Sequence, residues 1–144
     1  MLRSITGLGV LLLGLLVIFS CDSDDGGGST SPASIEANFS VASARGSESV
    51  GTIAATIEFT ETLPAETTLL FSYAGSALNT QDYRFLTPSP ITVVSGLSSF
   101  DLQIEILEDT EQEADETIEL MLEGASVISL GSQRTFTYTI EDND

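Results

Sequence analysis

From residue 35 onward, apolar and polar residues alternate in short runs. Phe39 and Val41 carry the apolar phase of the first run, and Ile53, Ala55, Ile57 and Phe59 that of the second. Leu69, Phe71 and Tyr73 mark a third, blurred by Leu70, and Ile91 and Val93 a short fourth after Pro88 and Pro90. Phe100, Leu102, Ile104 and Ile106 form the fifth, Ile118, Leu120 and Leu122 the sixth, and Phe136, Tyr138 and Ile140 the seventh. A period of two sends successive side chains to opposite faces of a strand, so each run presents one apolar face. No segment beyond the N-terminal apolar run has a convincing helical period. The acid-rich stretch 107–116 has no apolar stripe behind it, and Thr110 and Asp115 are weak helix formers.

Seven such runs predict an all-β fold, a seven-stranded antiparallel immunoglobulin-like β-sandwich over residues 35–144. With one Cys and no Trp in the chain, it has neither an internal disulfide nor a core indole. If each strand crosses the sandwich once, successive loops alternate between its two ends. One end then receives loops 44–50, 75–90 and 107–116 and the terminus 141–144. Those segments hold Glu48, Asp82, six acids from Glu108 to Glu116, and Glu141, Asp142 and Asp144, eleven carboxylates in all. The other end, with loops 60–66, 95–98 and 125–133, holds Glu61 and Glu66.

Composition narrows the function. The 144 residues include 22 acids against four Lys+Arg, for a formal charge of −18. Such a surface disfavours nucleic acid, because displacing phosphate counterions takes Lys or Arg. There is no His to act as a general base, no Lys, and a single Cys, which argues against an enzyme. A glycosidase-type carboxylate pair works in a cleft with one raised pKa, whereas these acids fall on exposed loops of a small sandwich.

The N-terminus reads as an address. In "MLRSITGLGVLLLGLLVIFSC" a basic Arg3 precedes an apolar run and small Ser20, so residues 1–20 are expected to be a secretory signal. The ending "VIFSC" resembles the lipobox of bacterial lipoproteins, which implies that Cys21 becomes an acylated N-terminus tied to a membrane. Residues 21–34, beginning "CDSDDGGGSTSP", are expected from their Gly and Ser content to be a flexible tether, of which about a dozen residues would span roughly 20 Å. Its early acids resemble the surface-export run of Bacteroidota lipoproteins. In enteric bacteria an Asp there signals inner-membrane retention. The expected location is the cell envelope, lipid-anchored; the export-run reading points to the outer membrane and its surface, and the retention reading, left open by the sequence, to the inner membrane.

Carboxylates converging on one end repel one another, and a bound cation removes that cost. Ca²⁺ suits them, since it takes six to eight oxygen ligands in flexible geometry, while Zn²⁺ and copper ask for imidazole or thiolate. The acidic loop is not itself an EF-hand. Counted from Asp109, Ala114 stands where Gly is needed and Leu120 where a bidentate Glu is needed. A site here must be assembled from several loops.

The segments "SESVGT", "TQDYRF", "ITVVSGLSSFDLQIEILEDTEQEADETIELML" and "YTIEDND" follow in an order that resembles the Calx-beta domain. That domain occurs in the cytoplasmic loop of sodium/calcium exchangers and in many bacterial surface proteins. The resemblance covers roughly residues 36 to 144. It implies a seven-stranded immunoglobulin-like sandwich whose calcium-binding members hold ions at one end. Carried over residue by residue, it implies as ligands Glu48, Asp82, Glu108, Asp109, Glu113, Asp142 and Asp144, with Glu116 a further acid before the sixth strand. Asn143 stands where Asp is frequent, and Glu108 where Asp is common.

The expected function is therefore a membrane-anchored, calcium-binding interaction or adhesion module, with Ca²⁺ ordering the acidic loops. The rival is a structural or binding accessory lipoprotein that keeps the fold without calcium and uses the acidic end for solubility or for a basic or glycan-handling partner. Thr52, Thr56, Thr135, Thr137 and Thr139 could offer a flat polar surface to a ligand, or simply serve as strand formers.

Overall fold

A computed structural model describes residues 34–144. The signal, Cys21 and most of the tether lie outside the described residues.

Ten strands build two five-stranded sheets. They are β1 (Glu36–Phe39), β2 (Ser43–Ser47), β3 (Thr52–Phe59), β4 (Thr67–Ala74), β5 (Tyr83–Phe85), β6 (Ile91–Val93), β7 (Ser99–Ile106), β8 (Glu116–Ala125), β9 (Ser129–Leu130) and β10 (Thr135–Glu141). One sheet runs in the order β5-β7-β3-β1-β9, and the other β2-β10-β8-β4-β6.

The count exceeds seven because three crossings of the sandwich are each split between the sheets, β1 with β2, β5 with β6 and β9 with β10, and β9 falls in the expected loop 125–133. The first leaves one sheet after Phe39 and continues as β2 in the other. The crossing is visible in the backbone, where the Ser40 N–H donates to the Thr56 carbonyl and the Ala42 carbonyl accepts from the Thr137 N–H. Val41, expected to point inward, sits on this crossover and is 51% exposed. Residues 44–47, expected in a loop, belong to β2. The fourth crossing likewise has two halves: β6 on β4 is the expected strand, and β5 on β7 lies in what was expected to be the loop 75–90. Pro88 and Pro90 separate them, and a residue without an N–H cannot continue a ladder. The pairing is also not antiparallel throughout, because β2 runs parallel to β10 and β9 parallel to β1. Each split strand still completes one crossing, so the loops alternate between ends as the parity count requires.

The inward phase fills one core, with Ile57, Leu69, Leu102, Ile104, Ile118, Leu120 and Leu122 almost wholly buried. Phe71, Tyr83 and Phe85 meet edge to face along its border. Leu70 faces solvent by the same alternation, between buried Leu69 and Phe71, and beside it the ladder shifts register by one extra residue on β8. The threonines do not form one surface. Thr52 and Thr56 lie on one sheet, and Thr135, Thr137 and Thr139 on the other. Thr56 is engaged, its hydroxyl donating to Asp101 at 2.7 Å.

Candidate metal centre

At the acidic end, two sets of three carboxylates converge. Oxygens of Glu48, Asp142 and Asp144 lie within 4.8 Å of one another, and so do those of Asp82, Glu113 and Glu116.

Glu48 opens a single 3-10 turn, Glu48–Val50, that links β2 to β3. The Ser47 hydroxyl caps this turn by accepting from the Ser49 N–H, and Gly51, at φ +80°, closes it. Glu48 is 8% exposed. Its Oε1 accepts from the Asp109 N–H at 3.2 Å. Burial pushes the Glu48 carboxyl above the usual range, the Asp109 N–H opposes this, and the charges of Asp109, Glu108 and Asp142 raise it further.

Asp142 and Asp144 follow β10. Phe136, Tyr138 and Ile140 point inward, so Asp142 continues the inward phase past the end of the strand. Its Oδ1 is buried and has no hydrogen-bond partner. A buried carboxylate oxygen without a donor is costly, and few native groups are left so.

The second triad is set by a closed turn before β5. The Leu78 N–H donates to Asp82 Oδ2, the Asp82 N–H donates to the Leu78 carbonyl, and the Asp82 carbonyl accepts from the Leu107 N–H. Thr80 inside this turn has φ +76°, an uncommon conformation for a β-branched residue. Glu116 stands two residues before Ile118, in the inward phase of β8. Desolvation first, then a hydrogen bond to Asp82 and the charges of Asp82, Glu113 and Glu48, raise the Glu116 carboxyl to about 7. That Glu48 acts on Glu116 shows the two triads lie within each other's field.

Of the seven residues carried over from the sequence, five fall in the triads. Glu108 and Asp109 do not. Glu108 accepts from the Asn143 amide at 3.0 Å, and Asp109 Oδ1 accepts from the Glu111 N–H at 2.7 Å in a local turn. Glu116, only a further acid in the sequence comparison, takes the third place in the second triad. Its alternation with Ile118 and Leu120 was the available signal.

The donor set is all oxygen, which suits a hard cation such as Ca²⁺. No ion pair among the described residues neutralises it. Among the described residues the two salt bridges are Arg45–Glu141 and Arg84–Glu105, outside both triads. The unpartnered Asp142 oxygen fits a metal ligand in particular.

No family model matches the chain, and no curated protein matches it. Solved structures do. The apo form of the Calx CBD1 domain is similar with a TM-score of 0.66 at 19% identity, over 77% of this chain and 99% of that one. The fold is the Calx-beta fold. The Calx CBD2 domain has a TM-score of 0.63 at 13% identity, covering 78% of this chain and 91% of its own. CBD12 of CALX1.1, described as a calcium binding domain, scores 0.66 at 19% identity, and the match spans 45% of that longer chain. Identities this low establish the Calx-beta architecture and leave the ligands to be argued from the site.

Proposed function

We propose that this chain is a non-enzymatic, calcium-stabilised β-sandwich module, held at a bacterial cell envelope through lipidated Cys21 and serving interaction or adhesion. The observation that carries the calcium reading is the buried, unpartnered Asp142 Oδ1 inside a converging carboxylate triad. The similarity to a domain described as calcium binding supports the same reading. In the first triad, Glu48, Asp142 and Asp144 would hold one ion. In the second, Asp82, Glu113 and Glu116 would hold another.

Bound Ca²⁺ would supply positive charge where the described residues place no ion pair. The protein's own part is to hold carboxylates from the 3-10 turn, the β4–β5 loop, the β7–β8 loop and the C-terminal tail in one place. Extracellular modules commonly bind at roughly 0.1–1 mM, and at a hundred times the dissociation constant one ion adds about 2.7 kcal/mol of stability. Isothermal titration with calcium tests this. Two classes of saturable site, lost on Asp82→Asn and Asp142→Asn respectively, are expected. A titration giving heats of dilution alone would sink the calcium reading.

Cys21 and the acidic tether support the anchoring part. Labelling with a radioactive or alkyne-tagged fatty acid, lost on Cys21→Ser, is expected. Equal labelling of the variant would contradict it.

A further inference from the structure

The ladder that holds the last strand ends with Glu141 opposite Ser47. Asp142 and Asp144 lie beyond it, yet both must stay beside Glu48, whose charge repels them. What holds the tail there is the residue between them. Asn143 Oδ1 accepts from the Ser47 hydroxyl at 2.6 Å and from the Ser49 N–H at 3.2 Å. Its Nδ2 donates to Glu108 Oε1 at 3.0 Å. One side chain therefore ties the tail to the 3-10 turn that carries Glu48 and to the loop that follows β7. The one other side-chain bond to the tail among the described residues is a long one, Gln112 Nε2 to the Asp144 carbonyl at 3.4 Å.

We propose that Asn143 is a positioning residue, which assembles the Glu48–Asp142–Asp144 triad before any cation binds and must be an amide to do so. Both ends of the carboxamide are used, one as acceptor and one as donor. An Asp in its place keeps the acceptor half but sets a carboxylate against Glu108, and an Ala keeps neither. Asn143 also explains why Glu108 stands apart from the triads: its carboxylate is the anchor for the amide. The affinity part of this inference rests on the calcium reading, and the assembly part does not.

The test compares the full-length wild type with Asn143→Ala and Asn143→Asp. Amide exchange is followed residue by residue in chelator, and calcium affinity by titration. In chelator, Asn143→Ala should speed exchange of the Ser49 amide about fivefold, because the Ser49 N–H then keeps only its longer bond to a Ser47 hydroxyl that Asn143 no longer fixes. Core amides such as Ile57 should be unchanged. Calcium affinity should weaken about tenfold, as when a metal ligand loses its orienting partner. Asn143→Asp should retain Ser49 protection in part and also bind calcium more weakly than the wild type. Unchanged Ser49 exchange in Asn143→Ala would overturn the inference, whether affinity falls or not, since a fall alone would make Asn143 a direct ligand. A uniform quickening of all amides would overturn it too, as general destabilisation. If the wild type takes no calcium, the proposed function fails, and the assembly role is still decided by Ser49 exchange in chelator.

Discussion

Glu116→Gln offers a test in which a loss of charge stabilises the fold and damages the site. In the fold the Glu116 carboxyl is raised to about 7, against an ordinary value of 4.5, mainly by desolvation and then by Asp82. A group raised in this way favours the folded state while protonated. Its contribution is fully present below about 4.5 and is lost as pH rises through about 7. Ionising it in the fold at pH 8 costs on the order of 3 kcal/mol without screening, and about 1 kcal/mol once solvent reaching a half-buried group is counted. Glutamine cannot ionise and keeps a donor for Asp82. The variant should therefore unfold about 4 °C higher than the wild type at pH 8 in chelator, a shift appropriate to about 1 kcal/mol in a domain of this size. The advantage should shrink to nothing near pH 4.5. In saturating calcium at pH 8 the order should reverse, because the second triad has lost a ligand. Differential scanning calorimetry across pH, with and without calcium, reads all three. A variant no more stable than the wild type at pH 8 in chelator would refute the reasoning, as would a gain independent of pH.

Two further outcomes follow from the same geometry. Asp142→Asn removes the charge at the buried, unpartnered oxygen, so the midpoint in chelator should hold or rise by a few degrees while the calcium-induced rise falls by about half. Calorimetry in chelator and in calcium measures both. Gly75→Ala should lower the midpoint by more than about 8 °C, since Gly75 has φ +124° and an added Cβ would fall 2.0 Å from the Thr117 carbonyl oxygen. A circular dichroism melt decides that one.

Much of the fold was legible in the pattern of side chains. Period-two runs located the core faces of β3, β7, β8 and β10, where Ile57, Leu102, Leu120 and Phe136 are all buried. The sheet switches were not legible, because alternation reports which face a residue uses and not which sheet it belongs to. The run through Phe39 and Val41 therefore read as one strand, although the chain changes sheets at Val41. Counting crossings survived this error, since a strand divided between sheets still spans the sandwich once. At the site, the same counting brought Glu48, Asp82 and the tail acids to one end. It could not say which acids turn inward. That depended on local bonds, such as the Asn143 amide that holds Glu108 and the turn that occupies Asp109. Glu116 was undervalued for a related reason, as its membership of the inward phase of β8 was masked by the five acids before it.

The central claim is that the acidic end is a cation site and not a solvated face. Thermal unfolding of the purified protein in chelator, 10 mM calcium, 10 mM magnesium, and sodium at matched ionic strength tests it most directly. The account predicts that calcium raises the midpoint by about 20 °C, the shift expected from about 2.7 kcal/mol at each of two sites at a hundred times a dissociation constant near 0.1 mM. Magnesium and sodium should move it by far less, since screening alone acts on every exposed carboxylate alike. Four coincident curves would contradict the claim and leave a Calx-beta fold whose acidic end serves something other than calcium.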